Sequence, residues 1–196
     1  MGRPRQLHDR YFRKAKAEGY LARSAYKLIE IDDRTRILRR ANKVIDLGCA
    51  PGSWLQVADK RCPAGVHIVG IDLKEVEAPM PDTVRTVVGD VTKLDPANLP
   101  DPGPFDVVMS DMAPNTSGRG DDLRSATLCR EVLALLPKLL APGESLVMKI
   151  LEGAETPGVL AETRAIFGKA QQFKPRACRE MSRETYIIGL RYRGNR

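Results

Sequence analysis

Within the segment Glu144 to Gly153, ESLVMKILEG, Lys149 interrupts an otherwise apolar run. A strand this apolar is buried on both faces of a parallel sheet, where an isolated ammonium costs several kcal/mol to desolvate. A lysine placed there has two uses. It can snorkel to water from the strand's carboxyl end, burying only its methylenes, or it can serve as a proton acceptor, because desolvation lowers an ammonium's pKa and an amine base acts only when neutral. Three more charged residues stand at comparable positions. Asp111 closes the run FDVVMSD ahead of a proline-asparagine turn at Pro114-Asn115, Glu184 opens ETYIIGLRY, and Lys27 lies in YLARSAYKLIEID. On a helix through that last segment Leu21, Ala25, Leu28 and Ile29 share one face while Tyr20, Arg23 and Lys27 share another. Lys27 is therefore expected to face away from the main apolar stripe.

A second group of residues suits ligand binding. In DLGCAPGSW, Asp46 to Trp54, a strand runs into a glycine turn and then a helix, a combination that brings backbone close to a ligand and offers unpaired N–H groups. Three residues separate Gly48 from Gly52, which does not match the G-x-G-x-x-G spacing of a dinucleotide site. The spacing is similar to the first motif of S-adenosylmethionine-dependent methyltransferases. Asp72, at the end of VGIDL, is placed to accept the ribose hydroxyls of a nucleoside, and Asp90, in VVGDV, to accept from an adenine amino group. Either aspartate alone also suits a helix cap or a turn. Together, after a glycine turn, they favour an adenosine pocket, which Trp54 either lines or backs from the sheet.

The elements that must hold these residues alternate along the chain. Candidate strands are 43–48, 67–72, 85–90, 105–111, 145–150 and 184–192; helical spacing fills SWLQVADKRC, the Asp95 region, DLRSATLCREVLALLPKLL and VLAETRAIFGKA between them. Pro137 marks a kink or the last turn of its helix. Alternating β and α elements imply a doubly wound, mainly parallel α/β sheet with helices on both faces, which binds ligands beyond the strands' carboxyl ends. That edge would collect Asp46, Asp72, Asp90, Asp111 and Lys149. No linker divides the chain, so one domain over 1–196 is expected, with a basic helical segment at about 1–40.

The net charge of +7 is unevenly distributed. Residues 1–43 carry thirteen Lys/Arg against five Asp/Glu, residues 44–168 eleven against eighteen, and residues 169–196 eight against two. Basic ends around an acidic middle fit a surface for a polyanion. Cys49, Cys62, Cys129 and Cys178 form no CxxC pair and the only histidines are His8 and His67, so neither a disulfide framework nor a metal site is expected. No apolar run approaches the roughly 20 residues of a membrane span, and the first ten residues lack a signal peptide's apolar core. A cytoplasmic location with no membrane partner is expected.

Taken in order, ARSAYKL, DLGCAPGSW, DMAPNTSG, LVMKILEG and SRETYIIG resemble the RrmJ/FtsJ family of RNA ribose 2′-O-methyltransferases, in particular its bacterial large-subunit ribosomal RNA enzymes. The resemblance runs from about His8 to the last strand. It implies a Rossmann-like fold with a mostly parallel seven-stranded sheet, S-adenosylmethionine as cofactor, and a Lys-Asp-Lys-Glu tetrad around the target hydroxyl at Lys27, Asp111, Lys149 and Glu184. Gly48, Gly52, Trp54, Asp72, Asp90 and Asp111 would serve the cofactor, with no metal, and Lys149 would be the general base. The implied partner is 23S rRNA within the 50S subunit, at a uridine of the A-loop, met by a monomer. A transfer-RNA 2′-O-methyltransferase and a catalytically inactive RNA-binding relative are the alternatives. Two positions depart from the family's usual pattern: Ala22-Arg23-Ser24 stands where Ser-Arg-Ala is common, and Gly52-Ser53 where two glycines are common.

Overall fold

The computed structural model describes residues 4–114, 120–179 and 181–194. The turn expected at Pro114-Asn115 and the rest of the DMAPNTSG motif beyond Pro114 lie outside the described residues. Helices α1 (Pro4–Ala17) and α2 (Ala25–Thr35) precede β1 (Lys43–Leu47), α3 (Ser53–Arg61), β2 (His67–Asp72) and β3 (Val84–Val88). Then come β4 (Phe105–Ser110), α4 (Asp121–Leu139), β5 (Leu140–Leu151), α5 (Thr156–Ile166), β6 (Phe167–Phe173) and β7 (Glu184–Tyr192). The seven strands form one sheet in the order β3-β2-β1-β4-β5-β7-β6. Pairs from β3 through β5 are parallel, whereas β7 runs antiparallel to both β5 and β6.

Strand periodicity assigns each side chain to a layer, since alternate residues point to opposite faces. In β5, Leu146, Met148 and Ile150 join the core under α4 and α5, while Val147 joins the core under α2 and α3. Val107 and Met109 of β4, and Tyr186 and Ile188 of β7, belong to that second layer too. Counting in steps of two carries Asp111, Lys149 and Glu184 to the α2 side of the sheet. Because β7 is antiparallel, its first residue reaches the edge where parallel strands end, and Glu184 pairs with Leu151.

Three expectations change. The run VLAETRAIFGKA is not one helix: α5 stops at Ile166 and β6 begins at Phe167. The partly or fully buried Phe167, Ala170 and Phe173 are spaced by three, which imitates helical periodicity in an edge strand. The Asp95 region holds only two short 3₁₀ turns, Val91–Lys93 and Pro96–Asn98, capped by Asp90 and Asp95. Lys27 does not turn away from the packed side; α2 begins only at Ala25, leaving Leu21 and Arg23 outside the helix, and the lysine is buried. Pro137 falls in the last turn of α4.

Candidate active site

Two ion pairs meet at the carboxyl edge of the sheet. Lys149 Nζ lies 3.1 Å from Asp111 Oδ1 and also donates to the Asp111 main-chain carbonyl, and Lys27 Nζ lies 3.0 Å from Glu184 Oε2. Each lysine is only 7% exposed. Buried ammonium groups persist when paired and hydrogen-bonded, and four separate elements, α2, β4, β5 and β7, supply this pairing. Burial alone would depress the Lys27 pKa, but Asp111, Glu184 and the hydrogen bond to Glu184 outweigh it and hold the pKa above the ordinary lysine value. Lys27 is thus a fixed cation at neutral pH.

A fifth residue completes the cluster. The Tyr186 hydroxyl donates to Asp111 Oδ1 at 2.7 Å, and Lys27 Nζ sits 6.0 Å from its ring centroid. Burial first, and then the Asp111 carboxylate, push the phenol pKa well above its usual value, so the group stays a donor. In the sequence Tyr186 is one aromatic residue in an apolar strand; only its parity with Glu184 hinted at this side of the sheet.

Beside the cluster opens a cleft of about 430 Å³ lined by Gly48, Ala50, Asp72, Asp90, Asp111 and Met112 among others. Asp111 belongs to both cleft and cluster. Gly48 has φ +83°, and a Cβ there would lie 2.4 Å from Met112 Cγ, so only glycine leaves this wall intact. Asp72 Oδ2 accepts from the Ala50 N–H and Oδ1 from the Lys74 N–H, both at 2.9 Å, which ties the glycine turn to the end of β2. Asp90 caps a 3₁₀ turn through Thr92 and still faces the cleft. Asp46 is buried behind these residues with Oδ1 unpartnered. Its carboxyl is raised well above the usual range by burial and then by the nearby charges of Asp111 and Asp72.

A family model described as FtsJ-like methyltransferase matches residues 20–192. The chain belongs to the FtsJ-like methyltransferase family. A protein of Syntrophobacter fumaroxidans named ribosomal RNA large subunit methyltransferase E is 46% identical over 191 residues, covering 95% of this chain and 97% of the relative. One of the same name from Nitratidesulfovibrio vulgaris is 44% identical over 196 residues, covering 97% and 96%. Among solved structures, a ribosomal RNA methyltransferase of Plasmodium falciparum superposes with a TM-score of 0.77 at 27% identity, covering 90% of this chain and all of that one.

Placed in this FtsJ-like methyltransferase, most of the expected site residues converge. Lys27, Asp111, Lys149 and Glu184 form the paired cluster, and Gly48, Asp72, Asp90 and Asp111 line the cleft. Gly52 and Trp54 do not line it. Gly52 turns instead toward Met80, Val76 and Leu21, and Trp54 is 2% exposed, tilted against Tyr186 at 5.7 Å between ring centroids and donating its indole N–H to the Ser24 carbonyl at 2.9 Å. The helix that follows the glycine turn carries the indole under α2, so Trp54 backs the sheet. Two of the three residues that depart from the family's usual pattern touch: the Ser24 and Ser53 hydroxyls lie 2.8 Å apart, linking the start of α2 to the start of α3.

Proposed function

We propose that this chain transfers the methyl group of S-adenosylmethionine to a ribose 2′-hydroxyl of RNA, with a uridine in the A-loop of 23S rRNA on the 50S subunit as acceptor and a cytoplasmic monomer as the acting form. The observation that carries this reading is the pair of nearly buried lysines, each matched to a carboxylate, on the lip of a cleft lined by Asp72, which forms no ion pair among the described residues. When bound, S-adenosylmethionine supplies a methyl group activated by its sulfonium. The cleft fits such a ligand, since the orphaned Asp46 oxygen and the acidic lining favour a cation that also donates hydrogen bonds. Asp72 would take the ribose hydroxyls, Asp90 the adenine amino group, Gly48 would allow close backbone approach, and Gly52 and Trp54 would support the turn from behind.

The acceptor hydroxyl is a weak nucleophile, so the protein must hold it in line with the methyl group and remove its proton. Lys149 would be the acceptor of that proton, oriented by both the carboxylate and the main-chain carbonyl of Asp111. Lys27, kept cationic by Asp111 and Glu184, would with Glu184 position the ribose. The acceptor assignment rests on the naming of the relatives together with the basic ends of the chain, which supply phosphate contacts without reading sequence. The test is transfer of labelled methyl to unmodified 50S particles, protein-free ribosomal RNA and transfer RNA, with the product nucleoside identified by mass spectrometry. We expect 2′-O-methyluridine on 50S particles; label confined to transfer RNA would overturn the ribosomal assignment, and label in a base would overturn the chemistry.

A further inference from the structure

The basic ends of the chain, far apart in sequence, are locked together over α2. Tyr11 and Ala15 of α1 pack with Tyr26 of α2 and with Ala177 from the segment joining β6 to β7. The Arg23 guanidinium lies 5.9 Å from the Tyr11 ring centroid and donates to the Ala177 carbonyl at 2.6 Å. Between these parts stands Glu30, one turn along α2 from Lys27. Its carboxylate accepts from the backbone N–H of Arg176 at 2.6 Å, from that of Ala177 at 3.0 Å, and from the Tyr11 hydroxyl at 3.4 Å. In a basic region the expected use of such a glutamate is an ion pair, yet among the described residues Glu30 forms none and directs its charge at main-chain amides. The segment it grips carries the exposed Arg176, Arg179 and Arg183 and leads directly into Glu184.

We propose that Glu30 is a positioning residue for the RNA acceptor: it latches α1 and the 174–179 segment onto α2, so that Lys16, Arg176 and Arg179 form one preassembled phosphate-binding surface on the Glu184 side of the cluster. This rests on the reading of RNA as acceptor. Preassembly matters because arginines on a loosened loop would have to be ordered at the moment of binding, and where that cost exceeds the gain the phosphate contacts are not made and their counterions are not released. The latch touches neither cofactor cleft nor tetrad, so its loss is felt in RNA binding before it is felt in chemistry.

The test compares the wild type with Glu30→Gln, which keeps the shape and one acceptor oxygen, and Glu30→Ala, using an unmodified large-subunit ribosomal RNA transcript as probe. Affinity is measured from low to high salt, alongside KM, kcat at saturating RNA, S-adenosylmethionine affinity and Tm. For Glu30→Ala we expect the slope of log affinity against log salt to flatten by about 2, as for the loss of roughly three phosphate contacts. KM should rise about tenfold while kcat and cofactor affinity stay within about twofold, and Glu30→Gln should fall between. An unchanged slope and KM in Glu30→Ala would overturn the proposal, and so would matching losses of kcat, cofactor affinity and Tm, which mark a general structural role. If the wild type methylates no RNA, the functional reading fails, whereas the slope comparison, read on binding alone, still judges the latch.

Discussion

The two halves of the sheet's carboxyl edge handle charge in opposite ways. On the acceptor half every carboxylate meets an ammonium, Asp111 with Lys149 and Glu184 with Lys27. On the cofactor half Asp46 and Asp72 form no ion pair among the described residues; Asp72 is held by backbone amides and Asp46 by one oxygen at most. A self-neutralised cluster can receive a neutral hydroxyl and move one proton within itself. A cleft in which the Asp72 carboxylate has only backbone amides for partners is completed by a ligand that brings the opposite charge. The contrast suits the proposed division of proton transfer to one half and cation recognition to the other, with Asp111 as the shared wall.

The largest effect should come from breaking the acceptor half. Lys149→Ala should reduce methyl transfer by about a thousandfold, within the usual range for a general base, while calorimetric S-adenosylmethionine affinity changes less than about twofold; an active variant would end the assignment of Lys149. Next, Asp72→Asn keeps the shape and removes the charge on the other half. Cofactor affinity should fall about tenfold to a hundredfold, the worth of a charged hydrogen bond, with the KM for RNA unmoved; a change in RNA KM alone would erase the division between the halves.

The third prediction concerns pH. Asp46 binds its proton more tightly in the folded chain than in the unfolded one, where the pKa is about 3.9. Stability of the ligand-free protein should therefore decline as pH rises from about 4 toward the raised folded value, because over that window the unfolded state has released a proton that the fold retains. Asp46→Asn should remove this slope, gaining stability over wild type near neutral pH and none near pH 3. Denaturant midpoints across pH would check it, and a gain largest in acid would contradict it.

The smallest effect probes the contact between the halves. Ser24→Ala leaves the buried Ser53 hydroxyl without its partner and should cost about 1 kcal/mol, whereas Ser24→Ala with Ser53→Ala should cost less than the two single changes added together. Strict additivity in denaturant unfolding would show that the two hydroxyls are not coupled.

Much of this arrangement was legible in the sequence because parallel strands deliver their last residues to one edge. Asp72, Asp90, Asp111 and Lys149 followed from that rule, and the rule needs only strand ends and a β/α alternation. The resemblance named Lys27 as a site residue, but helical spacing turned it away from the apolar stripe because it counted Leu21 as part of a helix that starts four residues later, and the structure buries the lysine. β6 escaped notice because its inward residues recur every third position. Tyr186, Glu30 and the Ser24–Ser53 contact could not be read at all: each acts through a partner brought by another element, and nothing in their local spacing names that partner.

The antiparallel course of β7 has one more consequence. Its first residue belongs to the paired cluster, yet its alignment is set deep in the core, where Gly189 pairs with Leu146 and Ala170 and where an added Cβ would lie 2.8 Å from the Phe167 ring. A slip of one residue along this strand would send Glu184 and Tyr186 to the opposite face together. The enzyme's aim is therefore calibrated from a point that no ligand touches, and substitutions that blunt catalysis should be sought near Gly189 as readily as beside the lysines.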